Sequence, residues 1–289
     1  MKVLITGAGG YLGSNLSNKV LEMGDELCMI SRNTLNQPQK ILDFNPDVVV
    51  HCAWSGGNSY KDINNISQLN NVSEGIKLIE IINKLPTKTK FIGFGTVEEY
   101  GILQSPALET QQENPINLYG LSKYSFKRYS KMLCETYNID WGWVRPCYVY
   151  GPGDVITRLI PTVINKLKKN EKIILDKCEK LIDYMYIDDF INLTYTLLHN
   201  KTSGIYNISS GQQYILKDVI SKIGDLMGKK ENIIFKDTIT RELTSPIICA
   251  NNLKIINQSK IKKLTSLKTG LLKTILNGDI IHKYNNKNQ

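Results

Sequence analysis

A chain of 289 residues, 42% hydrophobic and 22% charged, reads as an ordinary soluble globular protein with enough apolar material for one large domain or two unequal lobes. No apolar run reaches the length of a membrane span, and no basic-then-apolar leader precedes the first strand, so neither a membrane partner nor a signal peptide is expected. The net charge of +9 comes largely from lysines in 166–180 and 254–287, set among Ile, Leu and Asn without an aromatic stacking platform. That pattern reads as solvated helix faces, not a nucleic-acid surface, and is compatible with a cleft for a phosphorylated small molecule.

In chain order, residues 2–6 are a short apolar strand running into Gly7-Ala8-Gly9-Gly10-Tyr11-Leu12-Gly13 and then a helix to about residue 23. A glycine turn between a first strand and a first helix is the setting in which such a motif binds a dinucleotide. Gly7 permits the tight turn, Gly10 lets the backbone approach a pyrophosphate, and Gly13 lets helix and strand pack closely. The N–H groups at the helix start, Tyr11 and Leu12 among them, would hold the phosphates. Residues 26–30 are the second strand, followed by Ser31 and Arg32. An acidic residue there would hold the ribose 2′-hydroxyl of NAD. A small Ser beside an Arg fits a 2′-phosphate better, so NADP is expected, with NAD as the alternative.

The segment 33–45 barely has room for a strand and a helix. Residues 47–52 are a continuous apolar strand of the buried parallel type, ending in a loop with Ala53 and Trp54 at the carboxyl end, where ligands sit in such sheets. A helix is expected over 63–84 and a strand over 90–94, leading to Gly95-Thr96-Val97-Glu98-Glu99-Tyr100-Gly101. A helix over 117–137 carries Tyr119 and Lys123. A spacing of four puts them on one face, where the ammonium is expected to lower the phenol's pKa and make it a proton donor and acceptor near neutral pH. A strand over 140–145 exits through Pro146 and Tyr148. After Gly153 the alternation degrades: helices are expected over 158–169, 188–198, 217–227 and 267–276, and strands over 172–175, 184–187 and 204–208. The division expected is 1–153 plus returning segments near 183–210, with 154–289 mainly a second lobe.

Cysteines 28, 52, 134, 147, 178 and 249 form no Cys-x-x-Cys pair, and several lie in apolar runs. Reduced, packed thiols in a cytoplasmic protein are expected. His51, His199 and His282 are far apart in sequence, and no metal is expected.

With these motifs in order, the chain resembles the extended short-chain dehydrogenase/reductase superfamily, in the branch of NAD(P)-dependent epimerases, dehydratases and reductases of nucleotide sugars. The carrying residues are Thr6-Gly7-x-x-Gly10-x-x-Gly13, His51-x-Ala53, Gly95-Thr96 with Tyr100-Gly101, Tyr119-x-x-x-Lys123, Arg145-Pro146 with Tyr150-Gly151-Pro152-Gly153, and Asp183-Tyr184-x-Tyr186-Ile187-Asp188-Asp189. The resemblance implies an α/β fold, a Rossmann-type doubly wound parallel sheet with a smaller C-terminal α/β substrate lobe. It implies Tyr119 as acid/base, Lys123 as its electrostatic partner and a ribose ligand, and Thr96 as the hydroxyl completing a triad. Gly7, Gly10, Tyr11, Leu12, Gly13, Ser31, Arg32, Ala53, Trp54, Tyr119, Lys123 and Pro146 would contact the cofactor. Thr96, Tyr148, Arg158 and Arg241 would contact the sugar nucleotide. Relatives often have Arg where this chain has Ile182, and Asn where it has Tyr148, beside the diphosphate; Arg158 or Arg241 would substitute. The short 33–45 segment implies that a third strand, and the acidic residue that often follows it, is missing. Dehydratases place a base at the Glu98 position, but Val97 stands where their acid does. The expected activity is NADP-dependent reduction of a 4-keto-6-deoxy-hexose at C4, in a homodimer. The alternatives are 4-epimerisation, 4,6-dehydration with Glu98 as base, or a non-catalytic cofactor-binding module.

Overall fold

Runs that are apolar at every position, not at alternate ones, build the central sheet, because a parallel sheet is covered on both faces. The computed structural model describes residues 1–31, 35–36, 38–56, 63–200, 203–237, 245–261 and 263–277. In chain order the first half comprises β1 (Lys2–Thr6), α1 (Tyr11–Glu22), β2 (Glu26–Ile30), α2 (Gln39–Phe44), β3 (Val48–His51), α3 (Gln68–Ile82), β4 (Lys90–Phe94), α4 (Leu118–Thr136) and β5 (Asp140–Pro146). Then follow β6 (Tyr148–Tyr150), α5 (Leu159–Lys168), β7 (Ile173–Leu175), β8 (Leu181–Ile182), β9 (Tyr184–Tyr186), α6 (Ile187–His199) and β10 (Gly204–Ile208). The last segments are β11 (Tyr214–Ile215), α7 (Leu216–Met227), β12 (Ile233–Phe235), β13 (Ile247–Ile248), α8 (Leu253–Gln258) and α9 (Leu267–Asn277).

The main sheet has the order β10-β5-β4-β3-β1-β2 with every pair parallel. The chain runs outward from β1 to β2, then crosses back to β3 on the other side. That reversal between β1 and β3 opens a crevice at the carboxyl ends of the strands, where such sheets bind ligands. The register sets Thr6 opposite His51 and His51 opposite Gly93, so the turns after β1, β3 and β4 lie side by side. Two apolar layers cover the sheet. On one face α1 and α6 contribute Leu16, Val20, Ile191 and Leu198; on the other α3 and α4 contribute Leu78, Ile82 and Phe126.

The expected shortage of chain after the second strand shows as an edge. Among the described residues only α2 separates β2 from β3, and β2 ends the sheet with Met29 53% exposed. β10 returns from the second half to form the opposite edge beside β5. Lys90, at the start of β4, is buried and donates to the carbonyls of Leu197 (2.6 Å) and Asn200 (2.5 Å), satisfying orphan acceptors at the end of α6. The later segments make three small sheets, β11-β8-β13, β7-β12 and β6-β9.

Two expectations change. The helix expected from residue 63 begins at Gln68, because the turns before it serve α4: Tyr119 N–H donates to the Ile63 carbonyl (2.7 Å) and Leu118 N–H to Asn64 Oδ1 (3.3 Å). Strands β6, β8, β11, β12 and β13 are additions to the expected set, since two or three residues show little periodicity and pair only through tertiary contacts. No helix among the described residues is long and apolar enough to cross a membrane.

Candidate active site

The glycine turn is built by sterics. Gly7 has φ +68°, and a Cβ there would lie 2.6 Å from the Ala53 backbone; one on Gly13 would lie 2.2 Å from the Gly7 carbonyl. The turn therefore admits no side chain at either position. The two strand ends beside it are locked together. Thr6 Oγ1 accepts from Ala53 N–H (3.1 Å) and pairs with His51 Nδ1 (2.9 Å). Burial and the Lys123 ammonium push His51 down to about 3, so the ring is neutral. α1 starts at Gly10 with no side-chain cap and no acid in its first turn. The N–H groups of Tyr11, Leu12 and Gly13 thus have no intrahelical acceptor, and Gly9 has open space where a Cβ would stand. Free donors at a helix start beside an open backbone fit the pyrophosphate of a dinucleotide.

The loop after β3 is held by α3. Gln68 accepts from Trp54 Nε1 (2.7 Å) and donates to the Gly56 carbonyl (2.5 Å), while Asn71 accepts from Ser55 N–H (2.9 Å) and donates to its carbonyl (3.0 Å). Trp54 so placed lies over Lys123, whose Nζ is 3.8 Å from the indole centroid, and meets Tyr119 edge-on at 6.4 Å. After β4 the chain makes a single 3-10 turn, Val97–Tyr100, closed by a capping box between Thr96 and Glu99. The Asn117 side chain then joins this turn to α4. It accepts from Gly120 N–H (2.7 Å) as the helix cap and donates to Glu98 (3.1 Å).

These elements bring Thr96, Glu98, Tyr119 and Lys123 into one cleft. Lys123 is 3% exposed and donates to the Phe94 carbonyl (2.6 Å); burial pushes it down to about 7, opposed by Glu99. The expected lowering of Tyr119 by Lys123 is corrected. Burial pushes the phenol up to about 12, and the groups that pull it back are the Thr96 hydroxyl and the Arg158 guanidinium. Lys123 points at Phe94 and Trp54 and stands 5.9 Å from the tyrosine ring centroid, so the cost of burying a phenolate outweighs it. Burial also raises Glu98, with the Asn117 contact pulling the other way.

Of the expected sugar-nucleotide contacts, Tyr148 and Arg158 reach the cleft, each acting electrostatically on its neighbours there. Arg158 is 33% exposed at its side chain and pairs with Asp154 (3.3 Å). Tyr148 is exposed and meets Tyr184 at a tilt, with ring centroids 5.9 Å apart. Pro146 closes β5 beside the crevice, and Ser31 is exposed after β2. Arg32 and Arg241 lie outside the described residues. Glu99, Glu113, Lys127, Gln68, Asn71 and Asp154 carry no signal in the sequence. All are polar residues in otherwise ordinary loop or helix positions, and only their burial marks them. Among the described residues no group of three or more His, Cys, Asp or Glu side chains could hold a metal ion, and all six cysteines are free.

The chain is similar in sequence and fold to known proteins. Residues 3–209 match the model of the NAD dependent epimerase/dehydratase family. The chain is 26% identical over 249 residues to dTDP-6-deoxy-L-talose 4-dehydrogenase (NAD(+)) of Aggregatibacter actinomycetemcomitans, covering 77% of this chain and 89% of that protein. It is 28% identical over 247 residues to CDP-abequose synthase of Salmonella muenchen, covering 77% and 79%. UDP-glucose 4-epimerase of Thermus thermophilus, solved with NAD, superposes with a TM-score of 0.86 at 20% identity over 96% of this chain and 99% of that one. With a Rossmann-type sheet, a glycine turn fit for a dinucleotide and a family match across more than half its length, the chain is an enzyme of the NAD-dependent epimerase/dehydratase family, in the extended short-chain dehydrogenase/reductase superfamily.

Proposed function

We propose that this enzyme reduces a nucleotide-linked 4-keto-6-deoxy-hexose at C4, in glycan precursor synthesis, with NADP as the preferred cofactor. The observation that carries the reading is the meeting of Thr96, Tyr119 and Lys123 in one cleft beside a dinucleotide turn. Relatives named for 6-deoxy-talose and abequose nucleotides support the sugar class. Bound in the crevice, the cofactor supplies a hydride to C4. Thr96 holds the C4 oxygen, and Tyr119 gives it a proton. A phenol raised to about 12 is protonated at neutral pH, which suits donation in the reducing direction. Lys123 orients the nicotinamide ribose and places positive charge beside the tyrosinate that remains. Gly7, Gly10, Gly13 and the start of α1 take the pyrophosphate. Arg158 and Tyr148, with Arg241, take the sugar diphosphate. The reading includes a homodimer, supported by the exposed apolar stripe Leu121, Tyr129 and Met132 on α4.

A 4,6-dehydratase is the second reading, favoured by one observation: Glu98 stands in the same cleft as Tyr119, with its carboxyl raised by burial. A dehydratase must take a proton from C5, so its product carries solvent deuterium there when turnover runs in heavy water. For a reductase we expect stoichiometric NADPH oxidation on a 4-keto sugar nucleotide and no deuterium at C5. Glu98→Gln should cost about tenfold or less, because Glu98 then serves only to position Asn117. Deuterium at C5, or collapse of activity in that variant, replaces the reductase with the dehydratase. Turnover of a non-keto sugar nucleotide with the cofactor retained marks the epimerase or the dehydratase, and the absence of deuterium at C5 then identifies the 4-epimerase.

Cofactor preference is tested at Arg32. A 2′-phosphate beside its guanidinium makes a charge-assisted contact that NADH lacks, worth about tenfold in affinity. Calorimetry should give tighter binding of NADPH than NADH, and Arg32→Asp should narrow or reverse the gap. Equal or tighter binding of NADH by the unaltered enzyme removes the NADP assignment.

A further inference from the structure

The cleft rests on a buried charged cluster that the proposed chemistry does not use. Glu99 and Arg145 have side chains 0% exposed and are bonded Nε to Oε2 at 2.9 Å. The other end of Arg145 meets Glu113, which also takes Lys127 from α4. Trp143 Nε1 donates to both Glu99 oxygens, at 3.0 and 3.3 Å. Arg145 further lies over the Tyr100 ring, with 4.4 Å from its guanidinium carbon to the centroid. Two carboxylates and two cations balance, so the cluster is locally neutral. It ties together the Val97–Tyr100 turn, β5, the loop at residue 113 and α4, which are the pieces that carry Thr96, Tyr119 and Lys123.

Glu99 is fully buried beneath the turn that carries Thr96. Its Oε1 accepts Thr96 N–H at 2.9 Å, a contact that fixes the backbone bearing the Thr96 hydroxyl. A Cβ on Gly95 would lie 2.1 Å from the same oxygen, so the carboxylate occupies the space against the turn and a side chain at 95 would displace it. Lys123 feels Glu99 as its strongest attractive charge. The other titratable groups facing Lys123 are neutral at pH 7. Cys52, at the end of β3, is pushed up to about 12 by burial, His51 is held near 3, and Tyr119, on the same helix, is held near 12. Trp54 and the Phe94 carbonyl supply only a π face and a dipole.

We propose that Glu99 is a positioning residue of the reaction centre: its carboxylate holds Thr96 through the backbone and, without touching the Lys123 ammonium, supplies a buried negative charge that acts on it through space. The proposal rests on the reading above only in taking Thr96, Tyr119 and Lys123 as the reacting set. Arg145, anchored in turn by Glu113, keeps that carboxylate paired and aimed. A buried lysine with no such counter-charge loses its proton at lower pH.

The test uses the full chain with 13C-labelled lysine, in which the Lys123 ε-carbon is identified by its absence in Lys123→Met and titrated by NMR. In Glu99→Gln the Lys123 titration should move down by about one pH unit, and in Glu99→Asp, which keeps the charge but shortens the arm, it should stay within a few tenths of a unit. These shifts are read without any substrate, so they stand apart from the identity of the sugar. On whichever keto sugar the unaltered enzyme reduces, Glu99→Gln should lose about a hundredfold in kcat with KM little changed, and the alkaline limb of its pH profile should move down with the lysine. Glu99→Asp should lose kcat through Thr96 while keeping the alkaline limb in place. A Lys123 titration that does not move in Glu99→Gln overturns the proposal, as does a loss of activity with no shift of the limb, which is the signature of damaged packing alone. If Glu99→Gln does not fold, an Asp variant whose lysine titration falls by a full unit overturns it equally.

Discussion

Turnover of Tyr119→Phe is expected to fall about a thousandfold while its affinity for the nicotinamide cofactor stays within about twofold. The substitution removes one oxygen. The ring keeps its edge-on contact with Trp54 at 6.4 Å, and the helix start keeps its anchor from the Tyr119 backbone to Ile63. What disappears is the proton donor that the Thr96 hydroxyl faces. Loss of a single well-placed acid in a site of this kind costs about two to four powers of ten. Because burial holds the phenol near 12, it stays protonated across the neutral range, and Tyr119 itself should give no pH limb between about 6 and 9. A limb near neutrality belongs to Lys123, held near 7: activity depending on its charge is present below that value and lost as pH rises through it. Stopped-flow measurement of cofactor oxidation, with fluorescence titration of cofactor binding, checks both parts. A phenylalanine enzyme with near-normal turnover means that the proton comes from another group.

Arg145→Met should cost about 4 kcal/mol of stability and roughly 10 °C in Tm. Methionine fills much of the arginine's volume, so the effect isolates charge. It leaves Glu99, fully buried, with Thr96 N–H and Trp143 Nε1 as its remaining donors, and Glu113, half-buried, with Lys127. A buried ion pair adds little compared with apolar residues of the same shape, but breaking one strands the partner charge. Glu113, which Arg145 helps to hold low, should therefore bind a proton more readily in the variant. Its stability deficit should shrink as pH falls through the carboxylate range, because the stranded charges are neutralised. Burial raises Glu113 while Lys127 and Arg145 lower it, and the net result is a carboxyl below its ordinary value. Glu113 thus contributes stability to the unaltered protein above the unfolded carboxylate range and loses it as pH falls through the folded value. Thermal melts of both proteins across about pH 4–8 test the argument. A Tm within about 2 °C of the unaltered protein would show that the cluster carries no stabilising charge balance.

Much of the site follows from local chemistry. A glycine at φ +68° between a strand and a helix, and a tyrosine and lysine four apart on a helix, are properties of short stretches. So are the continuous apolar runs of β1, β3 and β4, and they are why the sheet class, the crevice and the Tyr119–Lys123 pair are legible in the chain alone, whereas Thr96 is expected only through the family resemblance. The short strands β6, β8, β11, β12 and β13 are not legible, since two or three residues have little period to display and exist only because a partner strand pairs with them.

The identity of the groups proposed to do chemistry is written largely locally, because glycine geometry and helical spacing act within a few residues. Their electrostatic state is settled by the packed fold. From one turn away Lys123 is expected to act on Tyr119, yet its ammonium is turned to Phe94 and Trp54, and desolvation raises the phenol instead. Glu99, Glu113 and Lys127 are charged residues with no special local pattern, and the motif that holds Arg145 does not tell of its partners. They become a single buried network only when β5, α4 and the loop between residues 101 and 117 close over the turn at Thr96. Desolvation depends on what every distant segment covers, so the charge, proton affinity and orientation of a buried group cannot be read from its neighbours in the chain.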